Sequence, residues 1–327
     1  MRAYEQGEYG TPEVATIVDK PLPQPEPDEI IVRVHASSVN PYDWHMMTGT
    51  PWLVRVMSGL RRPKDRRMGR DVAGVIAAAG ADVTEFSVGD AVFGGANGAY
   101  AEFAVAKETS LAPKPANISF EQAAGVGIAA YTALQGLNLT GEIDAGDDVL
   151  INGASGGVGT FAIQIAKAAG ANVTAVCSTQ NLEIARSLGA DRVVDYTQAD
   201  FLDTDTRFDL FFDTVGIRPL LACRGVLKAN GRYVAASVPK KMSKIIGRMI
   251  RTPLISMLGG RKIKMLSATS KKEDLVLLAE MLESGKVKTV IDRTYSFDQI
   301  PEALAYQGEG HAQGKTVITI ADAGLEN

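Results

Sequence analysis

The pattern of hydrophobic and polar positions predicts a β-rich first third of the chain. Residues Glu29–Val39 alternate apolar and polar side chains with a period of two, as a half-buried strand does. Four prolines within residues 21–27 precede this strand and forbid a helix there. Further short apolar runs, separated by glycine turns, predict strands at Val72–Ala79, Ala91–Phe93 and Tyr100–Ala106. Such strands indicate an irregular barrel or sandwich.

The pattern then changes to strands that alternate with helices. A strand at Val149–Asn152 leads into a helix at Gly157–Ala169, and this alternation continues for about 130 residues. It predicts an α/β fold with a doubly wound parallel sheet. Further strands are predicted at Val173–Val176, Arg192–Asp195, Asp209–Asp213, Tyr233–Ser237 and Ile263–Leu266.

The last part of the chain returns to β character. After a predicted helix at Lys272–Glu283, the tail Val287–Ile320 has the composition of strands and turns. The sheet domain therefore interrupts a β domain. We expect residues 1–119 and 288–327 to form the β domain, and residues 120–287 to form the inserted domain.

A glycine-rich segment between the first strand and helix of the inserted domain predicts a phosphate-binding loop. Gly156 would let the backbone approach a pyrophosphate, and Gly159 would let helix and strand pack closely. Backbone N–H groups and the helix dipole attract an anion at such a turn. A tight strand–helix turn without a ligand is the simpler alternative. The segment has the pattern A-x-G-x-x-G and reads Val149-Leu150-Ile151-Asn152-Gly153-Ala154-Ser155-Gly156-Gly157-Val158-Gly159.

The end of the second strand of this domain bears on the choice between NAD and NADP. A site for NAD has Asp or Glu about 20 residues after the loop, where it binds the ribose diol. Here no acid occurs before Glu183. The hydroxyl groups of Ser178 and Thr179 can hold a 2′-phosphate, and Tyr196 can reach the same region, although Ser178 and Thr179 are also good helix N-caps. The sequence therefore predicts NADP(H), without Arg or Lys in the turn to strengthen the contact.

Composition limits the class of protein without naming its chemistry. The 327 residues are 46% hydrophobic and 22% charged, and the net charge is −4, which predicts a soluble protein of about two domains. The negative net charge argues against nucleic acid as a partner. We find no secretory signal, and the longest weakly polar stretches fall short of the roughly 18 residues that span a bilayer. We expect a cytoplasmic protein.

Cysteine and histidine are too few for a disulfide framework or a four-cysteine metal site. The two cysteines, Cys177 and Cys223, fall in a strand and a helical stretch, where buried packing is the expected role. The three histidines, His35, His45 and His311, leave little for a histidine-rich metal site. We therefore expect no metal.

Short motifs follow one another along nearly the whole chain. They are Val39-Asn40-Pro41-Tyr42-Asp43 with Gly49, Gly69-Arg70-Asp71-Val72-Ala73-Gly74, Gly89-Asp90-Ala91-Val92-Phe93-Gly94, Ala129-Ala130-Tyr131-Thr132-Ala133-Leu134, the loop at 154–159, Leu188-Gly189-Ala190-Asp191 and Gly314-Lys315-Thr316-Val317. In this order they resemble the medium-chain dehydrogenase/reductase superfamily, within its zinc-free quinone oxidoreductase branch. The resemblance implies a chaperonin-like (GroES-like) β domain split around a dinucleotide-binding domain, an active site in the cleft between them, and a homodimer.

The resemblance also implies a reaction. Zinc enzymes of the superfamily bind their metal with a Cys after the first barrel strand and a His in a G-H-E segment, whereas this chain has Asp43 and Gly69-Arg70-Asp71 in those neighbourhoods. Without zinc as a Lewis acid, alcohol oxidation is hard but reduction of an electrophilic acceptor is not. The expected substrates are quinones and α,β-unsaturated carbonyl compounds. Asn40 is expected to donate to the carbonyl oxygen, and Asp43 to order its neighbours or to act as a structural turn residue.

By the same resemblance, the cofactor contacts follow the loop and the strand ends. They are Thr132, Ser155, Gly156, Gly157, Val158, Gly159, Ser178, Thr179, Tyr196, Val215, Gly216, Ser237 and Val238. Trp44, His45, Trp52 and Tyr131 can face the substrate, but packing is the simpler interpretation for each.

The net charge conceals two basic segments. Residues 51–70 carry +6 and residues 239–272 carry +10, which leaves −20 for the rest of the chain. The second segment alternates apolar and basic residues, as an amphipathic stretch does. Three interpretations remain: a solvated rim with a dimer or lid face, attraction of an anionic substrate or NADPH, and weak peripheral contact with an anionic membrane.

Two functions remain open at this stage. The first is a zinc-independent, NADPH-dependent oxidoreductase that acts on small-molecule quinones or enones. The alternative is an NADPH-binding regulatory or adaptor protein on the same fold, since a fold does not determine a function.

Overall fold

The protein divides into two compact units, which a computed structural model describes for residues 1–237, 247 and 260–320. The first unit comprises Met1–Tyr131 and Ser270–Asn327, and the second comprises Thr132–Thr269. The boundaries expected from the sequence, after residues 119 and 287, differ from these by 12 and 18 residues.

Two helices explain the difference. Phe120, the first residue of one helix, stacks on His35 of the first unit with ring centroids 4.3 Å apart. At the end of the other helix, the carbonyl groups of Leu282 and Glu283 accept hydrogen bonds from Asn117. Both helices are therefore part of the first unit, although their helical pattern suggested the α/β domain.

The strands of the first unit pair into two sheets. In chain order they are β1 (Arg2–Gln6), β2 (Ala15–Asp19), β3 (Glu29–Val39), β4 (Asp71–Ala79), β5 (Ala91–Gly95), β6 (Phe103–Lys107), β7 (Leu111–Pro113), β14 (Ile291–Ser296) and β15 (Lys315–Thr319). The larger sheet has seven strands in the order β14-β15-β3-β4-β5-β7, with β6 also paired to β3, and β1 and β2 form a separate pair. All these strand pairs are antiparallel except β14–β15.

Helices cover this sheet and connect its strands. One of them corrects the expected β character of the tail, because Ile300–Glu309 is helical, with Ile300, Ala303 and Leu304 buried at the spacing of a helix face. The helices are α1 (Pro41–Thr48), α2 (Leu53–Ser58), α3 (Phe120–Ala124), α4 (Gly127–Asn138), α8 (Lys272–Glu283) and α9 (Ile300–Glu309). The division between the two units falls within α4.

The second unit alternates strands and helices around a parallel sheet. Its elements are β8 (Asp148–Asn152), α5 (Gly157–Ala168), β9 (Asn172–Cys177), α6 (Leu182–Ser187), β10 (Arg192–Asp195), β11 (Phe208–Asp213), α7 (Leu220–Gly225), β12 (Leu227–Ala235) and β13 (Lys262–Met265). The six strands lie in the order β10-β9-β8-β11-β12-β13. Numbered within the unit, this is the order 3-2-1-4-5-6 of the dinucleotide-binding doubly wound fold. The expected α/β class is thus confirmed.

Each unit has its own buried core. In the second unit, the rings of Phe211 and Tyr233 meet edge to face with centroids 5.2 Å apart. Cys177 and Cys223 are free thiols buried in this unit, and burial raises the pKa of Cys177 to about 11. Within the described residues, no helix is long and apolar enough to cross a membrane.

Candidate functional site

In the second unit, the glycine loop lies where the strand order reverses. β8 has β9 on one side and β11 on the other, so that the connections leave in opposite directions and open a crevice at the carboxyl ends of the strands. Gly156 is the N-cap of α5, and as a glycine it has no side chain that could accept hydrogen bonds from the first N–H groups of the helix. Because the first N–H groups of a helix have no intrahelical acceptor, they remain available at the positive end of the helix dipole. The arrangement forms an anion-binding site.

The glycines of the loop meet different requirements. Gly153 has a φ of 79°, which favours glycine. A Cβ atom on Gly159 would overlap the Gly153 carbonyl oxygen and lie 2.6 Å from Ala154 Cα. Gly156 has an extended backbone, and a Cβ atom there would meet the Gly153 oxygen at 3.7 Å. The protein itself therefore does not require glycine at 156, and the open space fits a group that approaches the backbone.

Asn181 connects this loop to the end of β9, and the sequence pattern did not reveal it. Its side-chain amide donates to Ser155 Oγ at 3.0 Å and to Ser178 Oγ at 3.1 Å. Its Oδ1 atom is buried and has no hydrogen-bond partner among the described residues. Since a buried polar atom without a partner is rare, this oxygen indicates a missing hydrogen-bond donor at the site.

Asp195 lies beside the end of β9, although it is far from that strand end along the chain. Asp195 of β10 pairs with Cys177 in the parallel register, and Thr179 Oγ1 donates to Asp195 Oδ2 at 2.5 Å. The hydroxyl group and backbone N–H of Thr197 donate to Asp195 Oδ1 at 2.7 and 2.9 Å. The hydrogen bonds from Thr179 and Thr197 lower the pKa of Asp195. Tyr196 lies beside these residues and is exposed.

A buried carboxylate shapes the turn after β11. Asp213 accepts hydrogen bonds from the Asn152 side chain at 2.9 Å and from the Tyr233 hydroxyl at 2.7 Å. It also accepts from the backbone N–H groups of Val215 and Gly216, at 3.0 and 2.8 Å. Asp213 thereby fixes two of the predicted cofactor residues against the end of β8. Its role was not apparent from the sequence, although Asn152 and Asp213 are register partners on adjacent strands.

The other predicted cofactor residues lie on different elements. Thr132 is buried in α4. Ser237 follows β12, and its Oγ atom is shielded from solvent with no hydrogen-bond partner among the described residues. Val238 lies outside the described residues, as do residues 239–246 and 248–259 of the second basic segment.

In the first unit, Asn40 and Asp43 lie together at the start of α1. Asn40 is the N-cap, and its backbone N–H donates to Asp43 Oδ2 at 2.8 Å. Pro41 occupies the first turn, where its missing N–H costs nothing. Both side chains are buried. The Asp43 carboxylate therefore stabilises the start of this helix.

Asp71 lies at the centre of a cluster of buried polar side chains, which consists of Ser38, Asn40, Asp43, Asp71 and Lys315. Its Oδ2 atom accepts hydrogen bonds from Ser38 Oγ at 2.8 Å and from Asn40 Nδ2 at 2.9 Å. Its Oδ1 atom accepts from the backbone N–H of Ile128 at 2.9 Å. The carboxylate thus connects β3, β4 and the start of α4.

Lys315 supplies a positive charge to the cluster. Its buried ammonium group donates to Asn40 Oδ1 at 2.5 Å and lies 3.6 Å from Asp71 Oδ2. Burial lowers the pKa of Lys315, while Asp71 and Asp43 oppose that change. Burial and the neighbouring Asp71 raise the pKa of Asp43 to about 7. We attributed no charge role to Lys315 from the sequence, although a lysine among the apolar residues of a strand is a signal of such a role.

The raised pKa of Asp43 makes stability depend on pH. The pKa of Asp43 is about 7 in the folded protein and 3.8 for an aspartate in an unfolded chain. Between these two pH values the native protein therefore holds a proton that the unfolded chain has released. This stabilisation is complete below about pH 4 and is lost as the pH rises through about 7.

Asp43→Asn retains an acceptor for the Asn40 N–H and removes the titration. The melting temperature of Asp43→Asn minus that of the wild type should therefore be larger at about pH 8 than at about pH 5. The same difference at both pH values would contradict this role of Asp43.

The aromatic residues considered for the substrate, His45 and Arg70 have different surroundings. Arg70 donates to the Tyr42 hydroxyl at 3.2 Å, and burial raises the pKa of Tyr131. Trp44 packs against the core, as expected, and His45 Nδ1 lies 2.5 Å from the Thr50 carbonyl oxygen. Trp52, for which packing was the simpler expectation, is instead mostly exposed.

These residues do not fit the catalytic zinc site of the superfamily's metal enzymes. Both buried carboxylates are already engaged by protein donors, and Lys315 provides the compensating cation. Across residues 1–237 and 260–320, there is no group of three His, Cys, Asp or Glu side chains that could hold a metal ion.

Comparison with known proteins places this geometry in a family. Residues 26–116 match the model of the alcohol dehydrogenase GroES-like domain, and residues 188–318 match that of zinc-binding dehydrogenases. The structure of the quinone oxidoreductase from Coxiella burnetii has a TM-score of 0.86 and 29% identity, covering 98% of this chain and 99% of that one. The mouse (Mus musculus) NAD(P)H oxidoreductase RTN4IP1, mitochondrial, is 34% identical over 329 residues, covering 90% of this chain and 82% of that protein. The chain belongs to the medium-chain dehydrogenase/reductase superfamily, in its quinone oxidoreductase-like branch.

Another relative extends the likeness over more of the chain. The NADPH-dependent alkenal/one oxidoreductase, chloroplastic, of Arabidopsis thaliana is 32% identical and covers 97% of this chain and 79% of its own length. The family expected from the short sequence motifs is thus confirmed, together with its GroES-like and dinucleotide-binding domains.

Proposed function

We propose that the protein is a zinc-independent, NADPH-dependent oxidoreductase that transfers hydride to quinones or α,β-unsaturated carbonyl compounds. The observation that carries this proposal is the open glycine loop at the N-terminus of α5, at the point where the sheet order reverses. The names of the Arabidopsis alkenal/one oxidoreductase and the Coxiella quinone oxidoreductase support the substrate class.

The second unit has the groups that a dinucleotide needs. The N–H groups of Gly157, Val158 and Gly159 would bind the pyrophosphate. The unpartnered oxygens of Asn181 and Ser237 would be satisfied by polar groups of the cofactor. When bound, NADPH supplies the hydride. The remaining contacts proposed from the resemblance are Thr132, Ser155, Gly156, Ser178, Thr179, Tyr196, Val215, Gly216 and Val238.

In the first unit, Asn40 is the proposed donor to the acceptor. Its Oδ1 atom receives a hydrogen bond from Lys315 and its Nδ2 atom donates one to Asp71, so one amide hydrogen remains. This hydrogen would stabilise the carbonyl oxygen, which gains negative charge when hydride reaches the conjugated carbon. Lys315 and Asp71 fix the orientation of the amide. Asp43 acts as a positioning residue through the backbone of Asn40, and a proton from water or a side chain completes the reduction.

The carboxylate of Asp195 limits the preference for NADPH over NADH. It accepts the hydrogen bond that the Thr179 hydroxyl group could otherwise donate to the 2′-phosphate. It also places a negative charge beside the residues proposed to bind that phosphate. Asp195→Asn should therefore tighten NADPH binding severalfold and leave NADH binding nearly unchanged, because only NADPH carries the extra phosphate charge. Asp203→Asn, an exposed residue of the same unit, is the control for net charge. Calorimetric titration measures both affinities, and equal effects of the two substitutions would exclude this role for Asp195.

The proposed reaction is tested by the loss of reduced-nicotinamide absorbance with chelator-treated protein. The acceptors are a panel of 1,4-quinones, 2-enones and saturated aldehydes. We expect NADPH oxidation with the quinones or enones, little with the aldehydes, and no dependence on added zinc. NADPH binding without turnover on any acceptor would favour the adaptor alternative, and a requirement for zinc would contradict the metal-free mechanism.

The assembly and location of the protein are also part of the proposal. The family resemblance supports a homodimer, which sedimentation velocity would test. The sequence supports a cytoplasmic location and weak contact with an anionic membrane. Of the two basic segments that suggested this contact, residues 51–70 lie within the described part of the chain.

A further inference from the structure

Helix α2 and its flanks expose their large apolar side chains to solvent. The exposed fractions are 60% for Trp52, 40% for Leu53, 49% for Val56, 80% for Met57 and 61% for Leu60. We call these five residues the α2 patch. A surface helix of a soluble protein normally packs its apolar residues against the core and exposes its polar ones. Helix α2 has the reverse arrangement, because the residues of the α2 patch face solvent.

Polar side chains hold this helix on the protein. The Arg55 guanidinium lies 4.7 Å from the centroid of the Tyr9 ring, and its Nε atom donates to the Gly49 carbonyl at 3.2 Å. The Tyr9 hydroxyl donates to the Gly59 carbonyl at 2.6 Å and lies 2.8 Å from Ser58 Oγ. The contacts of Arg55, Tyr9 and Ser58 therefore hold α2 against the protein with the α2 patch facing solvent.

Three cations follow directly after the patch. Arg61, Arg62 and Lys64 are exposed and have no ion-pair partner within the described part of the chain. The next two basic residues differ, because Arg66 lies 3.6 Å from Glu5 and Arg67 pairs with Asp65 at 2.8 Å. The α2 patch is thus bordered by uncompensated positive charge.

We infer that the α2 patch, with Arg61, Arg62 and Lys64, is a docking surface for an anionic lipid bilayer. Apolar side chains beside exposed cations are the composition of interfacial membrane-binding segments. A tryptophan is well suited to the headgroup region, where its ring is partly apolar and its N–H is hydrated.

Charge argues for a lipid surface over a protein partner. Arg61, Arg62 and Lys64 lie beside the apolar side chains and are exposed, without an ion-pair partner in the described part of the chain. An anionic bilayer has negative headgroups over its whole surface and an apolar interior below them, so it meets these cations and the α2 patch together.

This inference rests on the membrane contact included in the proposed function and deepens it, because it assigns that contact to the α2 patch and its three cations. Docking itself requires no turnover. Together with that function, docking would bring the protein to quinones dissolved in the lipid. Binding and catalysis can fail independently, so the two are distinguishable by experiment.

Vesicle co-sedimentation of the full chain tests the docking surface. The probes are vesicles of phosphatidylcholine alone and vesicles that also contain phosphatidylglycerol. The wild type should bind the anionic vesicles at low salt, and added salt should weaken this binding. Met57→Asp/Leu60→Asp should bind at least about tenfold more weakly. Arg61→Gln/Arg62→Gln/Lys64→Gln should bind anionic vesicles no better than neutral ones.

A matched variant controls for net charge. Leu22→Asp/Val88→Asp adds the same two charges at exposed apolar positions outside the patch, and it should bind vesicles like the wild type. The blue shift of tryptophan emission on binding should disappear in Trp52→Phe. The inference is overturned if the wild type ignores anionic vesicles, or if Met57→Asp/Leu60→Asp binds them normally. It is equally overturned if that variant loses self-association in sedimentation velocity while it retains vesicle binding, because the patch would then join two copies of the chain.

Discussion

Asp71→Ala should lower the free energy of unfolding of the first unit by about 3–5 kcal/mol, the cost typical of breaking a buried ion pair. The alanine would leave Ser38 Oγ, Asn40 Nδ2 and the Ile128 N–H without their acceptor. It would also leave the buried Lys315 ammonium without its counterion. Urea unfolding followed by circular dichroism measures the loss as a transition at lower urea concentration.

Asp298→Ala is the control for this experiment. Asp298 pairs with Arg2 on the surface, where an ion pair contributes less than about 1 kcal/mol. If both variants lose the same stability, the buried cluster does not support the first unit as argued. Adding Lys315→Met to Asp71→Ala should cost less than the sum of the single changes, because the two residues compensate each other.

Gly156→Val should weaken NADPH binding by about 100-fold and leave the fold intact, because a side chain there would fill the space through which the pyrophosphate approaches the backbone. The extended backbone of Gly156 accepts any residue, and the Gly153 oxygen at 3.7 Å is the one heavy atom of the described residues outside its neighbours within 4 Å of its Cβ position. Calorimetric titration gives the affinity, and thermal unfolding checks the fold.

Two further glycines separate steric exclusion of the cofactor from damage to the protein. Gly159→Ala should lose both binding and stability, since its Cβ atom would lie 2.6 Å from Ala154 Cα. Gly225→Val, with no atom within 4 Å of its Cβ position, should change neither. Normal NADPH affinity in Gly156→Val would show that the pyrophosphate does not approach this part of the loop.

The local patterns predicted the two-domain architecture and the glycine loop well. Period-two alternation in β3 and the strand–glycine–helix order at β8 and α5 are short-range signals of the type of element. The extent of burial was less apparent, because β3 is mostly buried on both faces and residues 159–166 of α5 are all buried. The domain boundaries were less accessible. Whether α3 and α8 pack with the β domain depends on contacts such as Phe120 with His35, which no periodicity encodes.

The parts of the site that the sequence did not predict come from distant positions along the chain. Asp195 reaches Thr179 because β10 pairs with β9 in a parallel register. Lys315 reaches Asn40 because β15 pairs with β3 across nearly the whole chain length. For the same reason the sequence predicts only a basic segment at α2 and not its exposed apolar side chains, since Tyr9 and Arg55, which orient the helix, are 46 residues apart.

The central claim is hydride transfer from NADPH to a conjugated carbon, and isotope transfer tests it most directly. NADPH labelled with deuterium at nicotinamide C4, in each of its two stereochemical forms, is incubated with the chelator-treated protein and a 2-enone, and the product is examined by mass spectrometry and NMR. We predict that one of the two forms yields the saturated ketone with a single deuterium at the carbon β to the carbonyl group. An allylic alcohol with deuterium at the carbonyl carbon, or unlabelled product from both forms, would contradict the account.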